Sequence, residues 1–491
     1  MRPIVNDMRS APESRPLLLR GGAVIDGTRA PRYRADVRVR DGYIIDVGPD
    51  LTARDEEEID VTGKAVAPGF IDVHTHDDQI VLASPDMLPK VSQGVTTVVV
   101  GNCGISLAPL VHAQVPPPLN LLGGAGKHVF PTMAAYARAV DSVRPAVNVV
   151  ALVGHSTLRV ATMADPYVPA TPSEQGRMVD LMREAMEAGA AGLSTGVFYA
   201  TGAAADVAEV VLLARVAAES GGVYSTHIRD EGQKVIESLD EAFSAAREAR
   251  IPVVISHHKC SGPANWGRSV QTLSHIQGAR ERQSIALDAY PYIAGSTVLR
   301  PEAVDGVMDI MVAWSEPYPE LSGQMLADIA QRWNCTQVEA CERLQPGGAI
   351  YFQMREDDVQ RVLRFEATMI GSDGLPHDKH PHPRLWGTFP RVLGHYARDL
   401  GLFSLEEAVH RMTGLSARQF KLSGRGEIAV GNAADLVVFD PERVIDRATY
   451  DAPTRMSEGI EAVIVGGTIT YQDGALTGRR AGRFLSRESR P

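Results

Sequence analysis

The chain has 491 residues, 44% hydrophobic and 22% charged, with a formal net charge of −11. That balance describes a globular protein long enough for one large core and a smaller second one. The acidity argues against nucleic acid, whose phosphates are bound through clustered cations. Four cysteines in so long a chain are too few for a disulfide scaffold and fit a reducing compartment. No stretch approaches the ~18 continuous apolar residues of a membrane helix. The expected setting is the cytoplasm, and the expected partner a small molecule; the sequence does not give an oligomeric state.

Residues 1–16 mix charge with proline and lack the apolar centre of a signal peptide, so a disordered lead is expected. From 17 to 67, "LLLRGGAVIDG", "ADVRVRDGYIIDVG" and "EEIDVTGKAVAPG" read as short strands broken by Gly and Asp turns. Residues 415–480 repeat that texture in "GEIAVGNAADLVVFD" and "EAVIVGGTITYQDG". A small β-sandwich assembled from both ends is expected, followed by a tail over 481–491.

Between them, 68–414 alternates eight short apolar runs with segments of helical spacing such as "EQGRMVDLMREAMEAG". The runs are "AVAPGFIDVHTH", "GVTTVVVGNC", "VNVVALVGHS", "GAAGLSTG", "GGVYSTHIRD", "IPVVISHHKC", "SIALDAYPY" and "ATMIGSDG". Eight buried strands with helices between them predict an α/β fold, a (β/α)8 TIM barrel. No Gly-rich dinucleotide fingerprint follows an early strand, which disfavours a doubly wound sheet. Residues from about 302 to 358 break the rhythm before the last run and predict an insertion over the barrel mouth, with a lid as its natural role.

Most runs end in a residue that can bind a metal or move a proton: His74 and His76, Cys103, His155, His227, His257 with His258 and Lys259, and Asp373. The C-terminal ends of parallel barrel strands converge on one face, so these side chains are expected to meet. Alternation along a strand puts His74 and His76 on one side, and likewise His257 and Lys259, leaving His258 to a supporting or packing role. His377, His380 and His382 lie in the Pro-rich "PHDKHPHP", a loop, and are minor candidates; His112, His275 and His410 read as surface or core residues. Imidazole, thiolate and carboxylate together suit Zn²⁺. Cys103 alone could be packing, a nucleophile or a ligand; a thiolate can also bridge two metals.

"APGFIDVHTHDD" resembles the amidohydrolase superfamily. "GNCGIS", "LVGHSTLR", "STGVFYATG", "YSTHIRDEG", "VVISHHKCSG", "YPYIAGST" and "IGSDGLPHDKHPHPRLWGTFPRVLGHY" narrow the likeness to the N-acyl-D-amino-acid deacylases (D-aminoacylases), over about residues 17–474. The resemblance implies a barrel with a small β-domain and a lid. It also implies a tight zinc on Cys103, His227 and His257, a weaker second metal position at His74 and His76 sharing the cysteine, and Asp373 as the catalytic aspartate. Many members of the wider superfamily bridge two metals with a carboxylated lysine from strand four. "GAAGLSTG" offers no lysine or acid there, which favours Cys103 as the bridge. "RMTGLSARQF" lacks the proline expected near Leu415 and Ser416, away from the chemistry.

The expected reaction is zinc-dependent hydrolysis of N-acyl-D-amino acids, with Asp373 moving the proton from water to the leaving nitrogen. Lys259, Tyr199, Arg300, Ser296 and Tyr290 are candidates for the substrate carboxylate, with His155 also near the cavity. Arg384 and His377 leave room for a second acidic group, as in an N-acyl-D-glutamate or N-acyl-D-aspartate substrate; a neutral side chain is equally open. The alternatives are a cyclic-amide hydrolase or dipeptidase with the same metal chemistry, a thiol enzyme pairing Cys103 with His227, and a non-catalytic zinc-containing binding barrel.

Overall fold

The structure, a computed structural model, describes residues 15–487. Most of the lead expected over 1–16 and the end of the expected tail, 488–491, lie outside the described residues. Each of the eight apolar runs supplies one parallel strand: β1 (Phe70–Asp72), β2 (Val95–Val100), β3 (Asn148–Gly154), β4 (Gly192–Gly196), β5 (Val223–His227), β6 (Val253–Ile255), β7 (Ile285–Ala289) and β8 (Thr368–Ile370). They pair in chain order. Just beyond β1 and β8, Thr75 bridges Gly374 and the Asp373 amide donates to the His74 carbonyl at 2.7 Å, which closes the barrel.

Every residue of these strands is buried, as the runs' uniform hydrophobicity requires. Side chains alternate between two cores. Ile71, Val73, Val99, Val150, Leu152, Val223, Val254 and Met369 fill the barrel interior. Their neighbours Val98, Val100, Val149, Val153, Val253 and Ile255 face the outer helices. Those helices carry the expected signals. Pro172–Glu187 starts at a capping box of Thr171 and Glu174 and buries Met178, Met182 and Met186, four residues apart on one face.

Both chain ends build one nine-stranded, mainly antiparallel sheet, with Leu436–Phe439 joining the C-terminal strands to Ala65–Pro68. Period-2 alternation again serves two cores. Leu436 and Val438 pack with Leu17, Val37 and Ile464 inside the small domain, while Val437 and Phe439 join the barrel's outer core. The segment 415–422 does not join this sheet. Leu415, Ala417, Phe420 and Leu422, with Leu485 from near the chain end, plug the bottom of the barrel interior. Residues 482–487 run across the same end, where Gly482, Leu485 and Arg487 donate main-chain bonds to Pro145, Val149 and Gly189.

The excursion between β7 and β8 forms a three-stranded antiparallel sheet of Gly295–Val298, Ile310–Ser315 and Gly347–Tyr351. It begins ahead of the expected start near 302. Its core of Leu299, Val312, Leu326, Ile329, Cys341 and Ala349 is separate from the barrel's. The helix Glu356–Arg364 already belongs to the outer ring, packing Val359, Val362 and Leu363 into the barrel's core.

Candidate active site

Three site residues leave the strands on left-handed backbone. Cys103, His257 and Asp373 have φ of 53°, 35° and 50°. Such angles are uncommon outside glycine and cost on the order of 1 kcal/mol each, so the surrounding structure must hold them. For Cys103 the holding is visible. Gly101 and Gly104 flank it, both at positive φ, and a Cβ on either would strike backbone at Leu152 or Gly196. From β4, Ser194 accepts from the Gly104 amide at 3.1 Å and donates to the Gly101 carbonyl. The strand that offers no metal ligand thus grips the turn that presents the thiol.

The donor atoms converge. His74 Nε2 lies 3.2 Å from Cys103 Sγ, and His257 Nε2 lies 3.3 Å from it. His227 Nδ1 is 3.1 Å from His257 Nε2. His76 Nε2 stands 3.2 Å from Asp373 Oδ1, and His74 Nε2 3.5 Å from the same oxygen. Two sets of donors result, His74–His76–Cys103–Asp373 and Cys103–His227–His257, each with all its donor atoms within 4.8 Å of one another. Cys103 belongs to both. The mix of thiolate, imidazole and carboxylate fits a borderline divalent ion such as Zn²⁺. Burial opposes a charge on Cys103, but His74 and His257 outweigh it and hold the thiol well below its ordinary pKa, toward the ligating form. Burial likewise opposes ionised Asp373, yet Arg384 and His74 hold its carboxyl well below the usual range.

A second layer orients these donors. At the end of β7, Asp288 accepts from His74 Nδ1 at 3.1 Å and from the His257 amide at 2.9 Å. That leaves Nε2 of His74 free to face the cluster. Glu231 lies 3.1 Å from His257 Nδ1 and accepts from Lys259 Nζ at 2.7 Å. Neither acid stands out in the sequence as a site residue. Asp288 sits inside the apolar "SIALDAYPY", where a lone acid within a buried run was the available signal; Glu231 had none, lying among charges in "HIRDEG".

A cavity of about 250 Å³ opens over the cluster, reaching His76, His227, His257 and Asp373. Lys259, Tyr199, Arg300, Ser296 and Tyr290 all line it. The Tyr290 hydroxyl is buried without a hydrogen-bond partner. Tyr199 meets Thr297 Oγ1 at 3.1 Å, and Arg300 stacks over Phe198, 4.3 Å from the ring centre. Leu121, Phe198, Met308 and Leu375 supply an apolar wall.

Three expected substrate contacts are corrected. His155 is not brought to the cavity: its Nε2 lies 2.7 Å from Glu209, which also holds Arg159, behind β3. His377 lies at the surface against Gly123 and does not line the cavity. Arg384 is fully buried, with Nη1 2.8 Å from Asp373 Oδ2 and Nη2 donating to the Ser296 carbonyl at 3.1 Å. Its charge serves the aspartate. The pairing of His257 with Lys259 holds, though β6 ends at Ile255 and a turn sets it; His258 points outward to Thr272 at 2.9 Å. His380 and His382 bond the carbonyls of Tyr450 and Ala294, His275 pairs with Asp240, and His410 bonds the Gly27 carbonyl.

Residues 57–334 and 337–471 match the amidohydrolase family. The chain is 53% identical to the D-aminoacylase of Alcaligenes xylosoxydans xylosoxydans over 471 residues, 96% of this chain and 97% of that one. It matches a crystal structure of a D-aminoacylase, 52% identical, with a TM-score of 0.94 over 97% of this chain and 100% of the other. It also matches the N-acyl-D-glutamate deacylase of Bordetella bronchiseptica, 48% identical, with a TM-score of 0.92 over 97% and 100%. That structure holds zinc and a phosphonate inhibitor that mimics the tetrahedral intermediate. A thiol shared by two donor sets at a barrel mouth, a strand four without lysine, and near full-length similarity agree: the chain belongs to the amidohydrolase family, in its D-aminoacylase group.

Proposed function

We propose that the protein is a zinc-dependent deacylase of N-acyl-D-amino acids, releasing a carboxylate and the free D-amino acid. The observation that carries this is Cys103 shared between two donor sets, with Asp373 facing the same cavity. Cys103, His227 and His257 would hold the tight ion, leaving a coordination position open, as catalytic sites require. His74, His76 and Asp373, with the same thiolate, would hold a weaker one. Zinc supplies Lewis acidity at the scissile carbonyl and lowers the pKa of a bound water to about 7.

The chain's own residues do the rest. Asp373 is held ionised by Arg384, so it can take the water proton at neutral pH and then deliver it to the leaving nitrogen. Lys259, the unpartnered Tyr290 hydroxyl, Arg300 and Ser296, all lining the cavity, receive the substrate carboxylate. Asp288 and Glu231 keep the imidazoles aimed. The wall of Leu121, Phe198, Met308 and Leu375 favours a neutral, apolar amino-acid side chain. Near full-length similarity to D-aminoacylases supports the D configuration. Free thiols at all four cysteines support a cytoplasmic setting.

Steady-state kinetics on N-acetyl derivatives of D- and L-leucine, D-methionine and D-glutamate, beside metal analysis, test the reading. Turnover confined to the D forms and highest for leucine or methionine is expected, with activity lost to a chelator and restored by Zn²⁺. Equal rates on D- and L-leucine would remove the stereochemical assignment. Full activity after zinc extraction would point to the thiol instead, and preference for D-glutamate would overturn the neutral side-chain assignment.

A further inference from the structure

At the end of the barrel away from the site, four arginines line one cavity. Arg15 precedes the first strand of the small domain, Leu17–Val24. Arg144 caps the barrel helix Met133–Val143 on left-handed backbone, φ 49°. Arg479 and Arg480 follow the last strand of the sheet. The cavity has a volume of about 460 Å³, and no carboxylate lines it among the described residues. Arg480, partly exposed, pairs with the exposed Asp86 at 3.3 Å. Among the described residues the side chains of Arg15, Arg144 and Arg479 meet no acid. The hydroxyl-bearing Thr468 shares the wall.

In a chain of net charge −11, gathering four cations, three of them without an acid partner among the described residues, opposes the electrostatic trend of the whole molecule. Like charges converging on one cavity raise the free energy of the unliganded protein, and an anion of matching shape relieves it. Arginine forks suit phosphate and carboxylate oxygens, two parallel bonds per group. Three structural parts supply them: the small domain, the barrel helix and the C-terminal segment. The geometry points to a second ligand site in this cavity, specific for a small soluble anion carrying two or more phosphate groups. A concave pocket open to solvent, rather than a flat basic face, on a protein whose overall charge repels polyanions, favours a free oligophosphate over nucleic acid.

The test titrates the zinc-loaded full chain with inorganic pyrophosphate by calorimetry, alongside Arg144→Gln/Arg479→Gln. One site per chain is expected, with the double variant binding at least ~10-fold more weakly through loss of two charged forks. Extraction of zinc by pyrophosphate would be common to both proteins and cancels in the comparison. The variant removes like charges from a shared cavity, so without pyrophosphate it should melt slightly above the wild-type protein. Equal affinity in the two proteins, or a wild-type signal reproduced by NaCl at matched ionic strength, would overturn the site. So would a variant that melts below wild type without ligand, because the arginines would then be neutralised inside the protein already. A single-stranded oligonucleotide binding more tightly than pyrophosphate would replace the small-anion assignment.

Discussion

The two ends of the barrel are built on opposite principles. At the mouth, the strands end in His74, His76, Cys103, His227, His257 and Asp373, all buried, with three of them on strained backbone. At the floor, the interior is closed by Leu415, Ala417, Phe420 and Leu422 with Leu485, which carry no charge. Burying ionisable groups is costly unless each is paired, and the mouth meets that demand through Asp288, Glu231, Lys259 and Arg384. The floor needs no pairing and contributes burial alone. The barrel's division of labour follows: stability resides at one end and chemistry at the other. Substitutions at the two ends should therefore separate activity from stability.

The widest separation is expected at Asp373. Asp373→Asn keeps the shape but loses the proposed proton carrier, so kcat should fall ~10²- to 10⁴-fold with the tight zinc retained. Turnover near wild type, with zinc content measured in parallel, would reassign the base. Cys103→Ala removes a donor from both sets, so zinc should be lost together with activity.

At the floor, Phe420→Ala should show the reverse. The side chain is buried in the interior cluster, and its removal should cost about 3–5 kcal/mol. The melting temperature falls while kcat/KM at 25 °C stays within about twofold, since nothing at the mouth touches it. A matching loss of activity would mean the two ends are coupled.

Asp288→Ala probes the mouth's internal hierarchy. Losing the acceptor of His74 Nδ1 should weaken metal affinity ~10- to 100-fold, and saturating Zn²⁺ should recover most activity. Failure to recover would make Asp288 part of the chemistry rather than of the ligand's orientation.

This contrast also explains which features the sequence made legible. Barrel strands buried on both faces, such as "GVTTVVVG", stand out as unbroken apolar runs, and a polar residue that ends one is conspicuous. Cys103, His227 and Asp373 were visible for that reason. The orienting acids were not: Asp288 is one polar residue inside a run, and nothing local marks Glu231 as the partner of Lys259. Arg384 and His155 resemble substrate contacts in the sequence because a polar residue near the barrel mouth carries no record of its partner. Asp373 and Glu209 claim them across 11 and 54 residues of chain, respectively. The floor plug was missed because residues 415–422 follow the last barrel strand and so looked like part of the next domain.

The smallest expected effect separates the mouth's rim from its ligands. His112 and His128 face each other across the hairpin Leu110–His112 and His128–Phe130. The loop it encloses carries Leu121 to the cavity wall. His128 is buried with neither ring nitrogen hydrogen-bonded, and burial, with His112 adding repulsion, pulls its pKa down to about 4. The unfolded chain binds a proton near pH 6.5, where the folded chain does not. Stability is therefore complete above about pH 6.5 and declines as pH falls toward 4, by about 2 kcal/mol between pH 7 and pH 5. His128→Phe removes the proton-binding difference and leaves no hydrogen bond unmade, so the drop in melting temperature from pH 7 to pH 5 should shrink. An unchanged drop would place the acid sensitivity among the ligands of the mouth instead of at its rim.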